Sequence, residues 1–381
     1  MKKRIYLDYC ATTPIHPRVI EKILITLNSD FGNPSSIHWA GFSAKQILDN
    51  ARLEVATNIN CHPEEIIFTS GATEADNLAL FGTMRLFPPH KAHLITSSIE
   101  HHAILHTAET LEREGYSVTY LPVDQYGFVD ADDVLQAIRP ETKLISIMYV
   151  NNEVGSIQPI KEIGFIAKEN SIRFHTDAVQ AIGMCDVNVD DLYVDMLSIS
   201  AHKIYGPKGI GALYLRSGLE LTPLIVGGPQ ERWLRAGTEN VVGIAGFGEA
   251  INLVSQHRQE ERVRQIKMRK YLTEGLRTIY PKVIINEKEG HVVPHIISVS
   301  FLGADAEMLL VRLNGEGIAV SMGSACSSES LEPSHVLTAM NLSHEHIEST
   351  LRVSIGMMTT IEELDSFLQA ISRVLPKALI S

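Results

Sequence analysis

Short β-rich segments alternate with helix-like segments between residues 65 and 216, and this alternation limits the possible folds more than any other feature. The predicted strands are 65–70, 93–98, 117–123, 143–150, 172–177, 194–200 and 210–215. Amphipathic stretches such as HAILHTAETLERE and ADDVLQAI lie between the earlier strands. Strands that alternate with helices are typical of βαβ units in a mostly parallel sheet. The last two strands have no helix between them, which predicts a hairpin or an antiparallel edge.

A second, smaller unit is predicted after about residue 244. A long charged helical stretch at 251–280 is followed by strand-like segments at 295–301 and 317–322 and by a final helix. Thr360 and Glu363 have the spacing of a capping box at the start of that helix. The length of 381 residues also favours two domains over one. We therefore expect a large α/β domain and a smaller C-terminal α+β domain.

The composition excludes several classes of partner. The formal net charge is −12, whereas nucleic-acid-binding surfaces need clustered positive charge, so no direct nucleic-acid partner is expected. No apolar run approaches the ~20 residues that cross a bilayer, and the start of the chain lacks the apolar segment of a signal peptide. The four cysteines are far apart, which argues against a compact metal cluster. A reducing cytoplasm is the expected location.

Three predicted strand ends carry residues that could hold a cofactor, because ligands of open α/β sheets bind beyond the carboxyl ends of the strands. Ala72 and Thr73 begin a helix, where free N–H groups attract an anion, although a plain capped junction explains them equally well. Asp177 ends a strand among apolar residues, where a structural ion pair is the alternative. Lys203 is a candidate Schiff-base amine, although most lysines are merely solvated.

These features together predict a site for pyridoxal 5′-phosphate (PLP). The phosphate needs the helix N-terminus, the aldehyde needs the lysine, and the pyridine nitrogen needs a carboxylate. His101 or His102 follows another strand and could stack on the ring and transfer protons. The residue pattern alone does not choose between these two histidines.

The chain also resembles a known family over nearly its whole length. The motifs that carry the resemblance are YLDYCATTP (6–14), FGNPSSIH (31–38), FTSGATEADNLA (68–79), EHHAIL (100–105), VNNEVG (150–155), HTDAVQ (175–180), SAHKIYGPKGIGALY (200–214), RAGTEN (235–240) and SMGSACSSESLEPS (321–334). They resemble the cysteine desulfurases of the NifS/IscS type, which are PLP enzymes of aminotransferase class V. The resemblance implies PLP-dependent transferase fold type I, with a large PLP-binding domain at 14–255. Residues 1–13 and 256–381 would form the small domain and carry a mobile cysteine loop at about 321–334.

The resemblance also implies a role for each matching residue. Lys203 would bind PLP covalently, Asp177 would pair with the pyridine nitrogen, and His101 rather than His102 would stack on the ring. Arg352 would clamp the substrate carboxylate through its two-pronged guanidinium group. The remaining contacts would come from Gln180 at the ring hydroxyl, from Ala72, Thr73, Ser200 and His202 at the phosphate, from Thr238 of the other subunit of a homodimer at the phosphate, and from Asn152 near the cofactor and the substrate.

Cys326 lies among serines and a glycine, whereas free cysteine is usually buried among apolar residues. The resemblance implies that the enzyme converts L-cysteine to L-alanine and that the Cys326 thiolate takes the sulfur as a persulfide. The sulfur would then pass to an acceptor, such as an iron–sulfur scaffold or a tRNA or cofactor thiolation enzyme.

Two other hypotheses remain open at this point. Another PLP lyase or transaminase, such as a selenocysteine lyase, would share Lys203 and Asp177 but need not depend on Cys326. A catalytically silent sulfur carrier on the same fold would lack the lysine, the acid or the thiol, and all three are present in this chain.

Overall fold

A computed structural model describes residues 4–323 and 333–379 of the chain. Its strands are β1 (Ile5–Tyr6), β2 (Ile66–Thr69), β3 (His93–Ser97), β4 (Ser117–Leu121), β5 (Thr142–Ser146), β6 (Arg173–Asp177), β7 (Met196–Ser200), β8 (Gly211–Leu215), β9 (Val283–Ile285), β10 (Ile296–Phe301), β11 (Ile318–Ala319) and β12 (Thr350–Ser354). Its helices are α1 (Pro17–Ser29), α2 (Trp39–Ile59), α3 (Ala72–Met84), α4 (His102–Arg113), α5 (Ala131–Ala137), α6 (Ile160–Glu169), α7 (Val241–Ile279), α8 (Ala306–Gly315), α9 (His335–Ala339), α10 (His344–Glu348) and α11 (Ile361–Val374).

The seven strands β2 to β8 form one sheet in the order β2-β8-β7-β6-β5-β3-β4. Most of their residues are buried on both faces, as expected of a sheet with helices on either side. The seven predicted strands are confirmed, and so is the antiparallel pairing of β7 with β8. Of the two predicted alternatives, a hairpin or an antiparallel edge, the structure has the hairpin, because β8 also pairs with β2 and is not an edge strand. That pairing joins segments about 140 residues apart, and local sequence carries no signal for it.

The long helix α7 begins at Val241, ten residues before the predicted start at Ile251. The added segment, VVGIAGFGEA, contains three glycines and one charge, so it lacks the amphipathic pattern of the rest of the helix. Packing explains why glycine is present here. A Cβ atom on Gly248 would lie 2.8 Å from the Cα atom of Ala51 in α2, so only glycine allows the two helices to approach this closely.

A second sheet of three strands, in the order β12-β10-β9, lies in the C-terminal part of the chain. The predicted capping box is confirmed at the start of α11, where Thr360 and Glu363 bond each other's backbone N–H groups at 3.3 and 3.2 Å. A separate apolar core contains Ile5, Leu7 and residues between Met268 and Ala378. The division into 14–255 against 1–13 and 256–381 stays a prediction. Within 4–323 and 333–379, no helix has the length and apolar character needed to cross a membrane.

Candidate active site

The carboxyl ends of β2, β3, β6 and β7 lie at the same edge of the large sheet. The strands β3, β5, β6 and β7 are parallel, and β2 has the same direction because both β2 and β7 are antiparallel to β8. The segments that follow these strands converge on a cavity of about 610 Å³. Ten of the predicted site residues line it: Ala72, Thr73, His101, Asn152, Asp177, Gln180, Ser200, His202, Lys203 and Arg352.

The other two predicted site residues are Thr238 and Cys326. Thr238 is exposed and does not line the cavity of its own chain. Cys326 lies outside the residues that the structure describes.

Lys203 enters the cavity from a short helical turn directly after β7. Its Nζ donates hydrogen bonds to the carbonyl oxygens of Cys10 and Ala11, the latter at 3.0 Å. Cys10 also lines the cavity, and burial raises the pKa of its thiol. The N-terminal segment therefore covers the lysine and fixes the direction of its amine.

Asp177 is the last residue of β6, and burial raises the pKa of its carboxyl group to about 6. The N–H group of Val179 donates to the carboxylate at 2.9 Å and, with the charge on Lys203, opposes that rise. Gln180, one turn later, donates from Nε2 to the carbonyl oxygen of Cys10 at 3.2 Å. A cation bound beside Asp177 would also oppose the effect of burial, lower the pKa of this carboxyl group and keep it ionised.

The N-terminus of α3 supplies an anion site at the same cavity. A Cβ atom on Gly71 would meet no atom within 4 Å, so the backbone at the start of this 13-residue helix faces open space. Burial raises the pKa of Glu74 in the first turn, but hydrogen bonds from Arg235 and Ser70 outweigh it and lower that pKa overall. Arg235 donates from Nε at 2.9 Å and offsets the carboxylate, so the helix N-terminus remains attractive to a phosphate.

The cavity histidines are held neutral. His101, not His102, lines the cavity, and its Nδ1 accepts a hydrogen bond from the N–H of Ala103 at 3.1 Å. Burial, together with the charge on Lys203, lowers the pKa of His101 to about 4. His202 contacts the Thr12 hydroxyl at 3.1 Å, and burial likewise lowers its pKa to about 4. A neutral imidazole at physiological pH can stack on a ring and can accept a hydrogen bond or a proton, which suits a position of His101 against the cofactor ring.

Arg352 is buried and held by two partners. Its Nη2 donates to Oδ1 of Asp8 at 2.8 Å, and its Nη1 donates to the carbonyl oxygen of Asn152 at 3.0 Å. Its Nε–H has no hydrogen-bonding partner within the described part of the chain. The guanidinium group therefore keeps donor capacity for an anionic group in the cavity.

Sequence reasoning missed several residues of this site. Asp76 lines the cavity itself. Asp8 and Arg235 bond the lining residues Arg352 and Glu74, and Glu153, next to the lining residue Asn152, bonds Ser334. No short spacing pattern connects these pairs. The only available signal was that all four residues stand inside the motifs quoted for the family resemblance.

The site fits PLP in charge and in chemistry. The helix N-terminus suits the phosphate, the Lys203 amine suits the aldehyde, and the buried Asp177 carboxylate suits a protonated pyridine nitrogen. Among the described residues, no group of three or more His, Cys, Asp or Glu side chains could hold a metal ion. The fold and the site together define a PLP-dependent enzyme of fold type I.

Comparisons with known proteins agree with this class. The family model for class-V aminotransferases matches residues 5–367. The cysteine desulfurase IscS of Dictyoglomus turgidum is 48% identical over 99% of this chain and 96% of its own length. A solved NifS-like protein superimposes with a TM-score of 0.93 at 37% identity, covering 98% of this chain and 100% of its own. A structure described as SspA in complex with cysteine has a TM-score of 0.83 at 39% identity, covering 93% and 99%. The chain belongs to the aminotransferase class-V family.

Proposed function

We propose that the protein is a cysteine desulfurase that converts L-cysteine to L-alanine and keeps the sulfur on Cys326 as a persulfide. Support comes from the cavity, which combines an amine, a buried carboxyl group, a neutral imidazole and a buried guanidinium group. Further support comes from the relatives, because the Dictyoglomus turgidum protein is named a cysteine desulfurase and SspA is described in complex with cysteine.

The segments on either side of Cys326 carry the proposal. The backbone of Ser321 forms two hydrogen bonds with the backbone of Arg352, at 3.1 and 2.6 Å. The hydroxyl of Ser334 donates to the Glu153 carboxylate at 2.5 Å, next to Asn152. The chain therefore leaves and rejoins the described structure at residues beside the cavity. Cys326 follows Gly323, the last described residue before the gap, by three positions in the sequence.

The described side chains can perform the steps around the substrate. Bound PLP supplies an electron sink, which allows the Cα proton of an amino acid to leave. In our proposal, Lys203 holds the cofactor and then moves that proton. Arg352 binds the substrate carboxylate, and its bonds to Asp8 and Asn152 fix the orientation of the bound amino acid. Neutral His101 stacks on the ring and exchanges a proton beside it.

The sulfur transfer that we propose balances without an external oxidant. The Cys326 thiolate attacks the sulfur of the substrate, and a new S–S bond forms as the C–S bond breaks. The electron pair of that bond stays with the substrate carbon, which takes up a proton, and L-alanine leaves. The persulfide then passes its outer sulfur to an acceptor, for which we propose an iron–sulfur scaffold or a thiolation enzyme. Thiol chemistry of this kind needs a reducing compartment, so we propose the cytoplasm as the location.

The remaining cofactor contacts and the oligomeric state are also part of the proposal. Gln180 would bind the ring hydroxyl, and Ala72, Thr73, Ser200 and His202 would bind the phosphate. Thr238 would bind the phosphate in the second subunit of a homodimer, which is consistent with its exposure outside its own cavity. A surface for that subunit is available, because Phe31, Ile37 and Trp39 are 79%, 90% and 73% exposed.

The test is alanine production from L-cysteine with excess reductant, measured for the wild type, C326S and C61S. We expect the wild type and C61S to form alanine and C326S to lose nearly all turnover while still binding PLP. Cys61 is a suitable control because burial raises the pKa of its thiol to about 12, which leaves it unreactive. Equal turnover in the wild type and C326S would favour the lyase hypothesis instead. No alanine from any of the three proteins would contradict the proposed function.

A further inference from the structure

Asp76 is a buried acid at the cavity that the reaction described above does not use. It lies on α3, one turn after the helix begins, and it is only 1% exposed. It lines the same cavity as Lys203 and Asp177. Both of its carboxyl oxygens lack a hydrogen bond of normal geometry within 4–323 and 333–379. A carboxylate buried in this way costs several kcal/mol unless it is paired or keeps its proton.

The imidazole beside Asp76 does not supply a positive charge. Nε2 of His175 lies 3.6 Å from Oδ1 of Asp76, beyond hydrogen-bonding distance. The ring is fully buried and occupied on both sides, with Nδ1 at 2.9 Å from the Ser146 hydroxyl and Nε2 at 3.0 Å from the Ser198 hydroxyl. Burial lowers the pKa of His175 to about 3, so the ring is neutral at physiological pH. His175 therefore cannot offset an ionised Asp76.

Two other buried acids share this region. Asp177 follows His175 by two residues on β6, so the two side chains are on the same face of the strand. Glu100 accepts hydrogen bonds from the Ser97 hydroxyl at 2.5 Å and from the N–H of Met148 at 2.9 Å. Burial and the nearby charges of Asp177 and Glu100 raise the pKa of Asp76 well above its usual value, and the Ser198 hydroxyl only partly opposes that rise.

The charges of the cofactor pocket decide which of these acids ionises. Lys203 faces the pocket from the end of β7, and a bound cofactor would add one cationic ring nitrogen, for which we propose Asp177 as the partner. That nitrogen can pair with a single carboxylate at hydrogen-bonding distance. Two adjacent buried carboxylates with one cation between them do not both ionise readily, because each raises the pKa of the other. Asp177 accepts a backbone N–H and Asp76 accepts none, so Asp177 is the acid that ionises.

We propose that Asp76 is a positioning residue that keeps its proton at physiological pH, so that Asp177 is the carboxylate that pairs with the cofactor ring. The inference rests on the role that we propose for Asp177. A protonated Asp76 adds no charge to the pocket and can donate a hydrogen bond. Ionisation of Asp76 at alkaline pH would place a second negative charge near the ring. That charge would raise the pKa of the protonated groups of the bound cofactor.

Infrared spectroscopy of the PLP-loaded enzyme tests the protonation state directly. A protonated carboxyl group has its own C=O stretching band, which shifts in D₂O. We expect the wild-type minus D76N difference spectrum to contain that band at neutral pH and to lose it at alkaline pH. The control is D132N, which changes an exposed aspartate on α5 and should give no such band. The absence of the band at neutral pH would overturn the proposal.

The visible absorbance of bound PLP gives a second readout. We expect D76N to match the wild type at neutral pH and to lack the part of the alkaline titration that Asp76 causes. A D76N enzyme whose absorbance differs from that of the wild type at neutral pH would overturn the proposal, because an ionised Asp76 would then act on the cofactor at that pH.

If D76N does not fold, the infrared titration is made on E100Q, which removes Glu100, a second buried acid whose pKa is raised above neutral pH. A band that is present at neutral pH and lost at alkaline pH then supports the proposal, and its absence overturns it. A D177N enzyme that retains PLP with an unchanged spectrum would instead count against the role of Asp177.

Discussion

At the scale of single residues, Arg352 shows how the protein prepares a buried charge for a ligand. Its side chain and that of Asp8 are 2% and 16% exposed, and the two form an ion pair at 2.8 Å. Breaking such a buried pair leaves a charge without a partner, which is costly. The carbonyl oxygen of Asn152 fixes a second edge of the guanidinium group. Binding of a substrate carboxylate, the role that we propose for Arg352, therefore requires little reorganisation of the arginine.

We expect D8N to raise the KM for L-cysteine about tenfold, which corresponds to about 1.4 kcal/mol, and to change kcat less. The amide still accepts a hydrogen bond from Arg352 but no longer balances its charge, so the guanidinium group is held less firmly. Initial rates of alanine formation measure both constants. The control is D190N, which breaks an exposed pair with Arg216 and should leave the KM unchanged. A D8N enzyme with wild-type KM would contradict the role given to this pair.

The predictability of the site differs from residue to residue. Lys203 and Asp177 could be predicted because Asp177 ends a predicted strand and Lys203 lies in the turn after another, and strand ends share one edge of a parallel sheet. Asp8 could not be predicted, because its partner Arg352 lies 344 residues away. Arg235 was missed for the same reason, since it contacts Glu74 from 161 residues further on. Tertiary packing creates these pairs, and no local pattern encodes them.

At the scale of elements, the strands were predictable and the helix boundaries less so. Every predicted strand of the large sheet overlaps an observed one, because a buried parallel strand is a short apolar run with a clear beginning and end. The start of α7 was missed, because its first ten residues are buried and lack a polar face. The edge position of β2 depends on pairing with a distant strand, which periodicity does not reveal.

The short helix α9 connects the region after Cys326 to the cavity. Ser334 caps this helix by accepting a hydrogen bond from the N–H of Leu337 and also donates to Glu153. His335, the first residue of the helix, bonds the carbonyl oxygen of Glu100 at 2.9 Å through Nε2. The helix is thus tied to the residues that precede His101 and follow Asn152. The rate of sulfur transfer should depend on this attachment.

We expect S334A to slow alanine formation about tenfold without changing PLP content or the fast absorbance change when L-cysteine binds. The mutation removes the bond to Glu153, so the cysteine segment is attached less firmly while the cofactor pocket remains intact. Stopped-flow absorbance and alanine assays separate these two steps.

The matched control for this prediction is S343A. Ser343 caps α10, another five-residue helix, by accepting a hydrogen bond from the N–H of His346 at 3.3 Å. Both mutations remove a helix cap worth about 1 kcal/mol, but only Ser334 also bonds Glu153. Equal slowing by S343A and S334A would show that loss of a cap, and not loss of the contact with Glu153, is responsible.

At the scale of the whole molecule, buried histidines make stability depend on pH. Burial lowers the pKa to about 3 or 4 for His93, His101, His175, His202 and His295. These side chains bind protons near pH 6.5 in the unfolded chain, so the unfolded state binds more protons than the folded state between about pH 4 and 6.5. The free energy of unfolding therefore falls as the pH falls through that window.

Buried acids act in the opposite direction but are fewer among the described residues. The pKa of Glu100 is raised to about 8 and that of Asp177 to about 6, in both cases mainly by burial. The folded state holds these protons above the pH at which the unfolded chain releases them. Their contribution to stability is therefore lost as the pH rises, up to about pH 8 for Glu100. Below pH 6 the histidines are expected to determine the net trend.

We expect H295Q to flatten the acid limb of the stability curve. His295 is buried and is not among the residues that line the cofactor cavity, so its replacement removes no side chain from that cavity. Each such histidine contributes up to about 1.4 kcal/mol per pH unit to the slope. Urea denaturation at several pH values between 4.5 and 7 measures the slope of the free energy of unfolding against pH. H90Q, which changes an exposed histidine, should retain the wild-type slope. Parallel curves for the wild type and H295Q would contradict the argument.

The proposed homodimer can be tested by a mixture of two chains that each carry one mutation in the proposed site. In our proposal each site takes Lys203 from one subunit and Thr238 from the other. A heterodimer of K203A and T238A chains would then contain one site with both mutations and one site with neither. If Thr238 acted within its own chain, no site of that heterodimer would be intact.

We therefore expect the isolated K203A/T238A heterodimer, prepared with two different affinity tags, to bind PLP with wild-type affinity at half of its sites. The K203A homodimer should bind no PLP covalently, and the T238A homodimer should bind it more weakly because one phosphate contact is lost. A heterodimer without any high-affinity site would place Thr238 in its own subunit. Failure of the two chains to associate would contradict the dimer itself, and the exposed Phe31, Ile37 and Trp39 would then need another partner.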